Sequence, residues 1–257
     1  MAMRALFQSR KNRQMPVAEP VQILVPELQD AELAAVYYGK RMGGDFYDFL
    51  RVGPQRTLFG LLDVAGLLED NQAIVSAAKN TFRTRGAELF ANEELNEAEA
   101  VIELCLELNR TILQAANAVH SCPAFAGCYH EGLGTVCYFN AGHTPGLLRD
   151  STGITELPAT GLPLGLFSHS TCDARTIALE PDAVMLLVSR GVVEAKCNNE
   201  EFGLTQVSQN FQRTTGVSAE ELCASVLDWL QQFMCTPPTH NDVTALALAR
   251  NAASAPK

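Results

Sequence analysis

Two short acidic motifs are the part of the sequence best suited to chemistry. Residues 43–48 are GGDFYD and residues 63–66 are DVAG, so Asp45 and Asp63 each stand beside glycine at the end of a predicted strand. The two aspartates are 18 residues apart, which lets one hairpin bring them together. Carboxylate oxygens are the ligands that Mg²⁺ and Mn²⁺ prefer, and glycine allows the backbone to approach an ion. The pattern is compatible with a divalent-cation site, although taken alone it favours Asx turns at the hairpin ends.

Four other polar side chains are candidates for functional groups. His143 lies in NAGHTPG, where proline and glycine favour a structural turn over a catalytic base. Ser189 has no partnered histidine in the sequence, which argues against a Ser-His-Asp triad. Asp48 is expected either to support the acidic edge or to hydrogen-bond a local turn. Glu194 is expected to cap a helix or to face solvent.

The elements that would position these residues come in runs of strands and runs of helices. This order favours an α+β fold over a parallel doubly wound sheet, and specifically two antiparallel sheets packed together with helix pairs outside. The predicted strands are 32–38, 46–52, 57–64, 124–129, 135–140, 144–149, 174–179, 184–189 and 243–249, and the predicted helices are 71–90, 96–119, 204–214 and 218–234.

Composition argues against some classes of protein. The chain has 257 residues and a formal net charge of −10, which argues against nucleic-acid binding. No apolar run is long enough for a membrane span, and the first residues lack the apolar segment of a secretory signal, so a cytoplasmic location is expected. The eight cysteines contain no C-x-x-C pair and are expected to be reduced, buried thiols.

Eight motifs in order give the chain a family resemblance. In chain order the motifs are GGDFYDF, LDVAG, ELNRTI, YFNAGHTPGLL, GLPLGLF, LLVSRGVVEA, EEFGL and NDVTALAL. The series resembles the motifs of the SpoIIE-type protein phosphatases, which belong to the metal-dependent PPM (PP2C-like) superfamily. The resemblance runs from about Val21 to Arg250. It divides the chain into a basic N-terminal arm (1–20), a SpoIIE/PPM-type phosphatase-like domain (21–250) and a tail (251–257).

The resemblance implies a PP2C-like β-sandwich in which Mn²⁺ or Mg²⁺ activates a water that attacks phosphoserine or phosphothreonine. It places two of the four acidic metal positions at Asp45 and Asp63. The other two family aspartates are replaced, one by Arg190 and one by Asn241. Asp242 stands next to the second replacement and could act as a ligand only through a one-residue shift of the strand.

Two functions remain open from the sequence. The favoured one is a pseudophosphatase that binds a partner without turnover, needs no metal and uses Arg190 to neutralise the acidic pair. The alternative is an active Mn²⁺- or Mg²⁺-dependent protein phosphatase in which Asp45, Asp63 and Asp242 hold the ion. In either case the expected partner is a phosphoprotein of the anti-sigma-antagonist type. A homodimer formed through the leading segment is a further arrangement left open.

Overall fold

Two five-stranded antiparallel sheets form the centre of the computed structural model, which describes residues 25–39, 44–64, 68–116, 119–169, 171–234 and 242–252. In spatial order, the first sheet contains β1 (Ala31–Tyr38), β12 (Val243–Arg250), β9 (Val184–Val188), β6 (Gly146–Asp150) and β7 (Gly153–Leu157). The second sheet contains β2 (Phe46–Arg51), β3 (Arg56–Leu62), β4 (Ala124–His130), β5 (Thr135–Ala141) and β8 (Arg175–Ala178).

Within the described residues, five helices and one small hairpin accompany the two sheets. The helices are α1 (Leu68–Leu89), α2 (Glu97–Ala115), α3 (Arg190–Val193), α4 (Gly203–Arg213) and α5 (Ala219–Phe233), and the hairpin joins β10 (Lys196–Cys197) to β11 (Glu200–Glu201). Side chains on α2 and α5 satisfy the free amide groups of their first turns. Asn96 accepts hydrogen bonds from two amides of α2, and Ser218 forms a reciprocal capping box with Glu221 on α5.

Three apolar layers hold the sandwich together. One lies between the sheets and contains Phe125 stacked on Tyr138, with ring centroids 4.9 Å apart. A second packs α1 and α2 against the second sheet, and a third packs α4 and α5 against the first sheet. The two-residue period of the strands divides their side chains between layers: on β12, Leu246 and Leu248 face the other sheet, while Ala245 and Ala247 face the helices.

The expected α+β sandwich with flanking helix pairs is therefore confirmed. Three small elements were missed. β7 is a short edge strand that exposes Thr155 and Glu156, so its sequence shows little apolar alternation. Residue 189 was predicted to end a strand, but Ser189 instead precedes the single turn of α3. The β10–β11 hairpin turns through two asparagines with positive φ, at 51° and 69°.

Some predictions lie outside the described residues. These are the basic arm (1–20), the end of the tail (253–257) and Asn241. The proposed domain boundaries stay predictions. Among the described residues, no helix has the length and apolar character needed to cross a membrane.

Replacing Ser218 with Ala should lower the free energy of unfolding by about 1 kcal/mol, because one amide of α5 loses its acceptor and the capping box is broken. Urea denaturation of the two proteins measures the difference. The control is Ser225→Ala, since the Ser225 hydroxyl donates only to the carbonyl of Glu221 within the same helix and caps nothing. Equal destabilisation by both substitutions would contradict the role given to the cap.

Candidate functional site

Asp45 and Asp63 meet at one edge of the second sheet. Asp45 directly precedes β2 and Asp63 directly follows β3, and the adjoining residues Phe46 and Leu62 are paired across the two strands. The Asp63 side chain is only 8% exposed. Burial and the neighbouring Asp63 carboxylate raise the pKa of Asp45 well above its ordinary value. The hairpin thus brings together the two aspartates that the sequence singled out.

Asp242 joins this pair from the first sheet. It directly precedes β12 and is 5% exposed. Its charge contributes to raising the pKa of both Asp45 and Asp63, so the three carboxylates form one electrostatic cluster. The backbone of Gly39 makes room for it, because a Cβ added there would lie 2.1 Å from Asp242 Oδ1. We call Asp45, Asp63 and Asp242 the acidic cluster.

Arg190 provides the cation that faces the acidic cluster. It is the first residue of α3, two residues beyond the end of β9, and its Nη2 lies 3.3 Å from Asp63 Oδ1. Its Nε lies 3.9 Å from a carboxylate oxygen of Glu194. The pKa of Asp63 is raised by burial, and the guanidinium of Arg190 counters part of that rise. Arg190 and Asp63, both singled out in the sequence, are thus an ion pair.

Asp45 is held by hydroxyl groups. The Thr244 hydroxyl donates to Asp45 Oδ2 at 2.6 Å. The fully buried Ser189 lies behind it, where its Oγ accepts from the Thr244 amide at 3.0 Å and donates to the Asp242 carbonyl at 3.3 Å. The hydrogen bond from the Thr244 hydroxyl lowers the pKa of Asp45, although burial has the larger, opposite effect. From the sequence, Ser189 is a candidate only for a nucleophile, and this positioning role was not predicted. A signal for the role in the sequence is the position of Ser189 next to Arg190.

A second network supports the loop that carries Asp63. The Asp63 amide donates to the Pro123 carbonyl at 2.9 Å. The buried Asn71 of α1 donates to the Val64 carbonyl at 3.3 Å, and its Oδ1 lies 3.0 Å from His120 Nε2. This network joins the end of β3, the start of α1 and the α2–β4 connection.

The remaining candidates have structural roles. Asp48 is fully buried and forms a two-point ion pair with Arg83 of α1, with both nitrogen–oxygen distances 2.6 Å. Its side chain therefore binds a helix and does not contact the acidic cluster. Glu194 is the C-cap of α3 and its side chain is 46% exposed, as expected. His143 is buried beside its own turn, and burial lowers its pKa to about 4.

The described residues do not fit a divalent ion of the kind that the resemblance implies. Their side chains include no group of three or more Asp, Glu, His or Cys residues that could hold a metal ion. Arg190 directs a nitrogen at Asp63 where an ion would need an oxygen ligand.

The two packed antiparallel sheets, the flanking helix pairs and the acidic edge define a PP2C-like phosphatase domain. The model of the SpoIIE family (Stage II sporulation protein E) matches residues 53–251, and the chain belongs to that family.

Known proteins agree with this assignment. The phosphoserine phosphatase RsbP of Bacillus subtilis (strain 168) is 24% identical over 73% of this chain and 47% of its own length. The structure of the RsbU and RsbW domains of Rv1364c from Mycobacterium tuberculosis has a TM-score of 0.72 at 23% identity, covering 88% of this chain and 63% of that one. The SiaA-PP2C domain of Pseudomonas aeruginosa has a TM-score of 0.71 at 14% identity, covering 85% and 86%. The chain spans between 39% and 65% of the length of the curated relatives it matches.

Replacing Asp45 with Asn should stabilise the protein at neutral pH. An aspartate whose pKa is raised on folding binds its proton more tightly in the folded state, so the wild type loses stability as pH rises through the ordinary value of 3.8 toward the raised one. Asparagine keeps an acceptor for the Thr244 hydroxyl and carries no charge. Chemical denaturation at several pH values should show a gain at pH 7 that disappears in acid.

Asp150→Asn is the control, because the pKa of Asp150 is shifted in the opposite direction to that of Asp45: hydrogen bonds from Thr152 lower it. That substitution should reduce stability at neutral pH or leave it unchanged. A loss of stability in the Asp45 variant at pH 7 would contradict the electrostatic description of the cluster.

Replacing Gly44 with Ala should cost about 1–3 kcal/mol of stability by overpacking. A Cβ at this position would lie 2.8 Å from Val64 Cβ and 3.0 Å from the Val64 carbonyl oxygen, in the loop that follows Asp63. The matched control is Gly53→Ala, where an added Cβ meets nothing within 4 Å. Thermal unfolding of both variants measures the effect, and a Gly44 variant as stable as the Gly53 variant would disprove the close approach of the two loops.

Proposed function

We propose that this SpoIIE-family domain is a pseudophosphatase, which binds a signalling partner through a phosphatase fold without metal-dependent turnover. The observation that carries the proposal is the ion pair between Arg190 and Asp63. The guanidinium of Arg190 is paired with the Asp63 carboxylate, which would have to bind the metal ion in an active relative.

The charges show why Arg190 and a divalent ion compete. Two unit charges 4 Å apart interact by about 4 kcal/mol at an effective dielectric constant of 20, so a divalent ion at that distance would be repelled by about 8 kcal/mol. Solvent lowers this figure, because the Arg190 side chain is 42% exposed. By the same estimate, one carboxylate attracts the ion by as much, so the arginine cancels at most the contribution of one carboxylate.

The hydrogen bonds around the acidic cluster support the same proposal. Carboxylates buried in the acidic cluster require compensation, since an unpaired buried charge is costly, and two of the three receive it as follows. Asp45 receives it from the Thr244 hydroxyl and Asp63 from the Arg190 guanidinium. The chain therefore supplies both partners from its own side chains.

The likeness to RsbP and to the RsbU–RsbW protein suggests the kind of partner. RsbP is a phosphoserine phosphatase, and Rv1364c contains RsbU and RsbW domains in one protein. By analogy, the partner of this domain is a bacterial regulatory protein that carries, or can carry, a phosphorylated serine or threonine, such as an anti-sigma-antagonist-like protein.

Restoring both family aspartates should create a metal site. The double substitution Arg190→Asp with Asn241→Asp removes one positive charge and adds two negative ones, and we expect Mn²⁺ to bind it at least tenfold more tightly than the wild type by isothermal titration calorimetry. The control is Arg175→Asp, which removes an exposed arginine of β8. If the double variant binds Mn²⁺ no better than the control, the assignment of positions 190 and 241 to the metal site is wrong.

Phosphate release tests the alternative of an active enzyme. The proposal predicts no Mn²⁺- or Mg²⁺-dependent release of phosphate from a phosphoserine peptide by the wild-type protein. Metal-dependent turnover that Asp63→Asn abolishes would overturn the proposal. It would establish a phosphatase in which Asp45, Asp63 and Asp242 serve with the arginine displaced.

A further inference from the structure

We draw no further inference here: the strongest candidate, the exposed apolar patch of Val119 and Phe167 on the two loop segments that the backbone pairing of Cys122 with Leu164 joins beside the acidic cluster, carries nothing, because nothing in the described part of the chain shows what covers it.

Discussion

The ion pair between Arg190 and Asp63 sets the charge balance at the edge where both sheets end. Three carboxylates come from two sheets, and the fold offers one guanidinium at the same place. Burial makes each ionised carboxylate unfavourable, and their mutual repulsion adds to that cost. The guanidinium of Arg190 and the hydroxyl group of Thr244 offset part of this cost from within the chain.

Antiparallel topology creates this edge. Because neighbouring strands run in opposite directions, the start of β2 meets the end of β3, and the start of β12 meets the end of β9. Packing one sheet on the other then brings the two pairs of strand ends together. Residues about 200 positions apart in the chain, Asp45 and Thr244, become hydrogen-bond partners in this way. The helices contribute indirectly, since Asn71 and the Arg83–Asp48 pair fix α1 against the second sheet.

The sequence predicted the sandwich because its strands and helices follow clear periods and its motifs occur in a recognisable order. It also predicted that Asp45 and Asp63 would come together, since a single hairpin links them. It did not predict the partners of Asp48 and Ser189. Asp48 bonds to a residue 35 positions away on a helix, and Ser189 to residues more than 50 positions away. Such long-range contacts depend on how the layers are aligned, which local patterns do not encode. α3 was missed because a four-residue turn has no periodicity to detect.

The hydrogen bonds between the ends of β9 and β12 have an evolutionary consequence. The backbone of Ser189 pairs with that of Thr244, and the Ser189 hydroxyl bridges the two strands again. None of these bonds uses the side chain at position 190. The charge of the side chain at position 190 can therefore change without weakening this framework. In evolution, the charge of the edge and the fold that surrounds it are separable, because different atoms determine them.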